Sequence, residues 1–260
     1  MTTPLERLLA ICVALALLGG CSHVQVPLHW RTASLWATAS AEYAAVALQT
    51  YAAASEKLDL ALADPTWTAS LEQSEGYESL PPAIIIDLDE TVLDNRPFQM
   101  RLIREGLDFD EEMWNEWVRE SRAEAIPGSV EFVLYAHERD VEIFYITNRD
   151  HSVEKETRAN LASLGLPLNA EVDTLLTKNE RADWGSDKAS RQALVADSHR
   201  VLLIVGDHLR DFVRVEGVSR GDRRKATFDH AEMWGQKWFM LPNPLYGGWV
   251  GATLVEDTLE

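Results

Sequence analysis

The chain has 260 residues, a length that fits one α/β domain with a small insertion, and its 46% hydrophobic and 25% charged content excludes disordered and fibrous classes. Its 42 acidic residues against 24 lysines and arginines give a net charge of −18, which argues against binding to nucleic-acid polymers or anionic membrane surfaces. Two cysteines, Cys12 and Cys21, are too few for a disulfide framework or a cysteine-based zinc site.

The start of the chain has the composition of a secretion signal. A short polar segment precedes the apolar run Leu8–Leu18, which is too short for a permanent membrane-spanning helix. The run ends in Leu18-Gly19-Gly20-Cys21, which resembles the lipobox of bacterial lipoproteins. We therefore predict a signal peptide over residues 1–20 and lipidation of Cys21, with an ordinary signal peptide as the alternative. Ser22 resembles the sorting signal for the outer membrane, so the expected location is the bacterial cell envelope, lipid-anchored at the outer membrane.

A tether and a long helix are expected next. The lipidated cysteine and the tether occupy residues 21–32. Residues Ala33–Asp64 carry apolar side chains at three- and four-residue steps and end at Asp64-Pro65, which predicts an amphipathic helix whose aromatic stripe packs in the core.

Runs of apolar residues rich in β-branched side chains predict strands that are buried on both faces of a parallel sheet. They are Ala83–Asp87, Val141–Thr147, Leu175–Thr177 (the weakest), Val201–Val205 and Trp238–Leu241. Helical patterns lie at Glu111–Ser121, Ser129–His137, Val153–Leu164 and Lys188–Asp197. This alternation predicts an α/β fold with a doubly wound, mostly parallel sheet that binds ligands at the carboxyl ends of its strands.

Polar side chains stand at several of those strand ends. Asp87 and Asp89 are two apart on an extended backbone, so both can face one site, where paired carboxylates favour Mg²⁺. Thr147-Asn148-Arg149 ends the second strand, and Gly206–Asp211 follows a later one. Lys188 lies at the expected start of a helix between them. Carboxylates, a hydroxyl and an ammonium group at one edge of the sheet indicate phosphoryl-transfer chemistry.

The order of these motifs resembles the haloacid dehalogenase (HAD) superfamily of phosphotransferases: Asp-x-Asp-x-Thr, then Thr, then Lys, then Gly-Asp-x-x-x-Asp. Longer segments are similar to the class C acid phosphatases, bacterial surface lipoproteins of the 5′-nucleotidase (lipoprotein e) type. These segments are Ile86–Asn95, Pro127–Phe132, Tyr145–Arg149 and Leu241–Trp249. The resemblance implies a HAD-like Rossmannoid phosphatase domain over residues 33–260, with an N-terminal helix and a small helical cap insertion at about residues 92–126.

The resemblance also implies a role for each residue of the site. Asp87 would form an aspartyl-phosphate, and Asp89 would act as general acid and then as general base. Thr147 and Lys188 would hold the phosphoryl oxygens. Mg²⁺ would be the cofactor, and its ligands would come from Asp87, the backbone carbonyl of Asp89, Asp207 and, through water or by orienting the others, Asp211.

Some of these assignments have alternatives in the sequence. Lys178 also precedes the last metal motif, but Lys188 is preferred because Lys-x-x-Arg at the start of a helix, nineteen residues before Asp207, matches the family. Asp211 could instead be an ordinary acid at the start of a helix. His208 is predicted to be a surface histidine.

For the substrate, the resemblance implies a nucleotide held between aromatic rings, which accept any base. The substrate-binding candidates are Asn148, Arg149, Phe98, Trp114 and Tyr246. The expected activity is Mg²⁺-dependent acid phosphatase action on 5′-nucleoside monophosphates. The expected partners are this small phosphomonoester and the membrane through the lipid anchor alone, with no nucleic-acid polymer, and the resemblance allows a homodimer. A phosphomonoesterase without nucleotide preference and a non-catalytic binding lipoprotein are the alternative functions.

Overall fold

A computed structural model describes residues 28–215 and 219–257 of the chain. The predicted signal peptide, the lipidation site Cys21 and the first part of the tether lie outside the described residues. Within the described ranges, no helix combines the length and apolar character needed to cross a membrane.

Two helices, rather than the single one predicted, form the N-terminal part of the domain. Helix α1 spans Leu28–Ala39 and α2 spans Ala41–Ala63. The break falls at Ser40, whose hydroxyl accepts the Tyr43 N–H at 3.1 Å and so caps α2. Because α1 begins at Leu28, residues 28–32 of the predicted tether are helical. The predicted burial of the stripe is confirmed for Tyr43, Ala47, Tyr51, Ala54 and Leu58 of α2, whereas Trp36 of α1 and Leu62 of α2 are only partly buried against the same core.

The strands confirm the predicted doubly wound sheet. They are β1 Pro82–Ile86, β2 Leu93–Asp94, β3 Glu124–Ala125, β4 Glu142–Asp150, β5 Leu175–Lys178, β6 Arg200–Gly206 and β7 Trp238–Met240. Five of them form one sheet in the order β5-β4-β1-β6-β7, and every neighbouring pair is parallel. From β1 the chain first moves outward through β4 and β5, and then returns to the other side of β1 with β6. This reversal places a topological switch point at the carboxyl ends of β1 and β6, where open α/β sheets bind ligands.

The remaining helices pack around this sheet and in the insertion. They are α3 Arg96–Glu105, α4 Glu111–Arg119, α5 Ser129–His137, α6 Glu154–Ser163, α7 Ala189–Ser198, α8 Arg220–Asp229 and α9 Gly248–Asp257. Helix α5 has the predicted bounds, and α4, α6 and α7 differ from theirs by one or two residues. Helices α3, α8 and α9 were not predicted. Helix α8 is rich in charge and buries no residue, so its sequence lacks the apolar period that marks an amphipathic helix.

A short pair of antiparallel strands joins the expected cap insertion to the rest of the domain. Strands β2 and β3 pair antiparallel, with Leu93 opposite Ala125, and they enclose α3 and α4. Phe98 and Trp117 are buried inside the insertion, with ring centroids 6.4 Å apart. The insertion therefore packs on the same hydrophobic core as the sheet and stands over the carboxyl end of β1.

Candidate active site

The register of the sheet brings the predicted catalytic motifs to one edge. Ile86 of β1 lies opposite Tyr145 of β4 and Val205 of β6. The residues that follow these positions, Asp87, Thr147 and Asp207, therefore meet at adjacent strand ends. We call the group of buried and partly buried side chains at this edge the floor of the site; its members are Asp87, Asp89, Thr147, Arg149, Lys188, Asp207 and Asp211.

A buried lysine bridges two of the floor carboxylates. Lys188 stands at the N-cap of α7 and is 4% exposed. Its Nζ forms an ion pair with Asp87 and a second one, 2.7 Å long, with Asp211 Oδ1. Burial by itself would lower the pKa of Lys188, but the two carboxylates outweigh burial and hold its pKa above the ordinary value. The competing Lys178 lies on β5 and pairs with Glu111, so the structure places Lys188 against Asp87.

The two aspartates after β6 are held by local hydrogen bonds. Asp207 Oδ2 accepts Asn243 Nδ2 at 2.7 Å, and Asp211 Oδ2 accepts the His208 N–H at 2.8 Å. Asp211 folds back so closely on Gly206 that a Cβ at that glycine would lie 2.6 Å from the Asp211 Cβ. The glycine is therefore required by the close approach of Asp211 to the end of β6.

Three floor carboxylates fit a divalent cation. Asp87, Asp207 and Asp211 each offer an oxygen within 4.8 Å of the others. With Asp89 added, four carboxylates face the cations of Lys188 and Arg149, so two negative charges remain unbalanced. Burial raises the pKa of Asp87 to about 7 and that of Asp207 well above its usual range, which shows how unfavourable this charge is without a counter-ion. Clustered hard oxygen donors of this kind suit Mg²⁺.

Asp89 is fixed by a different set of partners. Arg149 approaches Asp89 Oδ1 with Nε at 2.9 Å and Nη2 at 2.8 Å, and Asn95 Nδ2 donates to the same oxygen at 2.9 Å. The hydroxyl of Thr147 lies 3.5 Å from Asp89 Oδ2. Asp89 itself remains partly exposed and lines the cavity above the floor. Arg149 and Asn95 therefore hold Asp89, the predicted general acid and base, through its Oδ1, while its side chain still lines the cavity.

The structure corrects the assignment of Arg149 to substrate binding. Its side chain is 1% exposed, because the guanidinium lies beneath the cavity on Asp89 and Asn95. Thr147 is also fully buried and does not line the cavity. Its predicted contact with the phosphoryl oxygens stays a prediction, whereas Arg149 acts here by positioning Asp89.

Above the floor is a cavity of about 430 Å³, a size suited to a small ligand. Its upper wall, which we call the rim, consists of Gln99, Phe109, Trp114 and Tyr246. The first three belong to the insertion, and Tyr246 precedes α9. Asn148, a predicted substrate-binding residue, also lines the cavity, and its Oδ1 accepts a hydrogen bond from Arg191 Nη2 at 2.8 Å.

The structure also corrects the assignment of Phe98. Its ring is fully buried and does not line the cavity. It packs edge-on against Trp114, with ring centroids 5.3 Å apart, so it supports the rim from behind. Of the two tryptophans on α4, Trp114 faces the cavity, while Trp117 is buried and donates its indole N–H to Asn95 at 2.8 Å. An apolar ring gains more from this packing than from exposure to solvent.

Several residues of the site were not predicted. Asn95 and Asn243 hold Asp89 and Asp207, and buried Arg191 donates to the Thr147 carbonyl at 2.5 Å. All three lie inside or beside the recognised motifs, so a closer study of those segments could have found them. Phe109 and Gln99 carried no sequence signal, because an exposed aromatic and a polar residue in an insertion are unremarkable one at a time. His208 is half-buried rather than a free surface histidine, since its Nε2 accepts the Gly248 N–H at 2.7 Å.

Comparison with known proteins shows the family and the fold of the chain. A family model described as HAD superfamily, subfamily IIIB (acid phosphatase) matches residues 14–249. A structure of the class C acid phosphatase from Bacillus anthracis is 35% identical, with a TM-score of 0.75, and the match covers 86% of this chain and 88% of that one. A second structure of that enzyme, with tungstate bound, has the same identity and TM-score and covers 88% and 90%.

Among curated proteins, the stem 31 kDa glycoprotein of Glycine max is 26% identical over 166 residues, which are 62% of this chain and 58% of that protein. The stem 28 kDa glycoprotein of the same plant is 24% identical over 167 residues, again 58% of its length. The chain thus spans less than two thirds of the length of these curated relatives.

Proposed function

The chain belongs to the acid phosphatases of HAD superfamily subfamily IIIB, and from that premise we propose that it is a Mg²⁺-dependent phosphatase of 5′-nucleoside monophosphates, anchored to the cell envelope by lipid on Cys21. The family and the fold predicted from the motifs are thereby confirmed, and membership places the chain among the phosphoric monoester hydrolases. The observation that carries the proposal is the buried Asp87–Lys188–Asp211 group, with Asp207 beside it, at the bottom of an open cavity.

In the first step that we propose, a carboxylate oxygen of Asp87 attacks the phosphorus of the substrate. The bond between phosphorus and the ester oxygen breaks, and Asp89 donates a proton to that oxygen, which leaves as an alcohol. The phosphoryl group is then an aspartyl-phosphate on Asp87, and Lys188 lies against the same carboxylate to offset its charge. Such division of one displacement into two is the benefit of covalent catalysis.

In the second step, water attacks the phosphorus of the aspartyl-phosphate. Asp89, now ionised, takes the proton from the water, the bond to Asp87 breaks, and phosphate is released. Arg149 and Asn95 keep Asp89 in place through both steps. Mg²⁺, when bound among Asp87, Asp207 and Asp211, would supply positive charge that offsets these carboxylates and polarises the phosphoryl oxygens.

The nucleotide preference rests on the rim. Trp114 and Tyr246 both line the cavity, and they belong to segments that are remote from each other in the chain. Stacking accepts any base because every base has a π-face, so the expected enzyme uses purine and pyrimidine nucleotides alike. An acid optimum follows from the need for Asp89 to carry a proton in the first step, and a pH–rate profile with its maximum at alkaline pH would contradict it.

The lipid anchor rests on residues outside the described part of the chain. The apolar run and Leu18-Gly19-Gly20-Cys21 support it. Expression of the whole chain in a bacterial host with labelled palmitate should label the wild type and leave Cys21→Ala unlabelled. Label retained in that variant would remove the lipoprotein assignment.

The activity is tested by phosphate release from AMP, a cofactor mononucleotide and p-nitrophenyl phosphate, with Mg²⁺ or EDTA. We expect Mg²⁺-dependent turnover that is fastest on nucleotides and falls at least about 10⁴-fold in Asp87→Asn, which has no anionic nucleophile. Equal rates on the three esters would favour the general phosphomonoesterase. Folded wild-type protein without turnover at any pH would favour the binding lipoprotein.

A further inference from the structure

A second cavity adjoins the catalytic one. Its volume is about 820 Å³, and it shares Asp207 and His208 with the catalytic cavity. Helix α8 forms one side of it, and the segment from the end of β7 to α9 forms the other. We call this cavity the α8 groove.

The α8 groove carries positive charge in a strongly acidic protein. Arg220, Arg223 and Arg224 line it from α8, and Arg210 lines the neighbouring catalytic cavity. Burial lowers the pKa of Arg223, and so does repulsion from the Arg210 guanidinium. Two guanidiniums close enough to repel each other, inside a chain of net charge −18, form a local anion-attracting site.

Among the described residues, the Arg223 and Arg224 guanidiniums lack the carboxylate partners that several other arginines have. Arg96, Arg139 and Arg158 each pair with a carboxylate, as expected where acids outnumber bases. In the described ranges, no carboxylate lies within 4 Å of the Arg223 or Arg224 guanidinium. A half-buried cation without a counter-charge is unfavourable, so an anion bound beside Arg223 would relieve that cost.

Arg223 also stands at the wall between the two cavities. One of its Nη atoms lies 3.0 Å from the position that a Cβ would occupy at Gly248. Gly248 lines the catalytic cavity and donates its N–H to His208. An anion at Arg223 would therefore lie close to Gly248, on the wall of the catalytic cavity.

From this placement, we propose that the α8 groove binds a second phosphate group of a substrate whose first phosphate lies at Asp87. The substrate class is a phosphomonoester that carries another phosphate, such as a nucleoside 3′,5′-bisphosphate. Phe228, which is 68% exposed, and Trp234 give the groove apolar surface for the uncharged part of such a molecule. The inference rests on the proposed phosphatase function and adds a selectivity to it.

The experiment compares adenosine 3′,5′-bisphosphate with AMP in wild type, Arg223→Gln and Lys225→Gln. Lys225 is the matched control, because it is two residues away on α8, carries the same charge, and pairs with Asp229. Wild type should favour the bisphosphate in kcat/KM. Arg223→Gln should reduce the bisphosphate-to-AMP ratio about 10- to 100-fold, the usual loss for a charge-assisted hydrogen bond, while Lys225→Gln leaves it within about twofold. Arg223→Lys should restore part of the preference.

The two proposals fail in different ways. Turnover of AMP with an unchanged bisphosphate-to-AMP ratio in Arg223→Gln would overturn the second-phosphate site and leave the phosphatase intact. If no ester is turned over, calorimetric titration of Asp87→Asn with both nucleotides decides the inference alone. A bisphosphate preference that disappears on adding Arg223→Gln supports it, and equal affinities overturn it. Weaker inorganic phosphate binding in Arg223→Gln, with no bisphosphate preference in wild type, would also overturn it, since the groove would then hold free phosphate.

Discussion

The floor and the rim of the catalytic cavity are built in different ways. The floor residues Asp87, Lys188 and Asp211 are each less than 10% exposed and hold one another by ion pairs at the ends of strands and the start of α7. The rim residues Phe109, Trp114 and Gln99 come from an inserted segment and are all at least partly exposed. The difference indicates that the sheet fixes the position of the reacting groups, while the insertion can change substrate contacts without moving them.

One side chain joins the two regions. Arg149 contacts Asp89 through its nitrogens, and its guanidinium carbon lies 5.7 Å from the centroid of the Trp114 ring. A cation over the face of an indole is attracted to it, so the orientation of Trp114 is tied to the buried group that holds Asp89. In the rim, we therefore expect substitutions at Phe109 and Gln99 to leave the floor unchanged, whereas Trp114 is in contact with a floor residue.

After loss of the nucleophile Asp87, the largest expected effect comes from replacing Asp89, the proposed proton donor. Asp89→Asn should lower kcat for AMP by about 10² to 10⁴-fold, because an amide can neither protonate the leaving oxygen nor activate water. The loss should be smaller for aryl phosphates in the first step, since nitrophenolate leaves without a proton. Burst kinetics separate the two steps, and a kcat within tenfold of wild type on AMP would remove Asp89 from the acid/base role.

A change of shape in the floor should have the next largest effect. Gly206→Ala places a methyl group against Asp211, which must then move away from Lys188 and the carboxylate cluster. A displacement of about 1 Å in such a group can reduce the rate about 10²-fold, and the Mg²⁺ concentration for half-maximal activity should rise. Gly251→Ala is the matched control, because a Cβ there meets no atom within 4 Å. Normal Mg²⁺ dependence in Gly206→Ala would contradict the packing account.

The rim should respond selectively. Trp114→Ala should raise KM for nucleotides by roughly 5- to 150-fold, the range expected for a stacking interaction of about 1–3 kcal/mol per base, and should change p-nitrophenyl phosphate turnover less. Trp114→Phe, which keeps an aromatic face, should recover most of the affinity. An equal loss of kcat/KM on every substrate would instead mean that Trp114 acts on the floor through Arg149. The rim and the floor would then not contribute independently to activity.

The smallest expected effect is a change in thermal stability at His199, which is remote from both the floor and the rim. His199 lies at the opposite end of β6, with its ring 4.8 Å from that of Phe144, and burial lowers its pKa below the usual 6.5. The unfolded chain then binds more protons, so folding stability falls as the pH decreases below about 6.5. His199→Gln should reduce the Tm difference between pH 7 and pH 5 by less than about 3 °C and leave kcat unchanged. A Tm difference larger than that of wild type would contradict the sign.

The sequence predicted most of the sheet because its strands are continuous apolar runs that have few alternatives to a buried parallel position. It missed α8, because a helix of mainly charged and polar residues that buries none of them carries no apolar period. It also missed α3, whose buried residues Phe98 and Leu102 lie four apart but occupy only ten residues of the insertion. The same limit applies to side chains in the insertion. Phe98 and Trp114 are both aromatic residues of the insertion, and the sequence does not distinguish them. The packing of α3 against α4 buries Phe98 and leaves Trp114 at the cavity.

By itself, the sequence determined the order of the chemical groups: Asp87 and Asp89 after β1, Thr147 in the last part of β4, Lys188 at α7 and Asp207 after β6. These positions follow from local rules, since each residue ends or begins an element that its neighbours in the chain define. The tertiary structure alone decided which partner each group has. Arg149 was expected at the substrate and lies instead under Asp89, and Arg223, sixteen residues beyond Asp207, stands at the wall of the same cavity. Such pairings depend on distances between elements remote in sequence, and these distances exist only once the sheet has formed its order and the insertion has packed upon it.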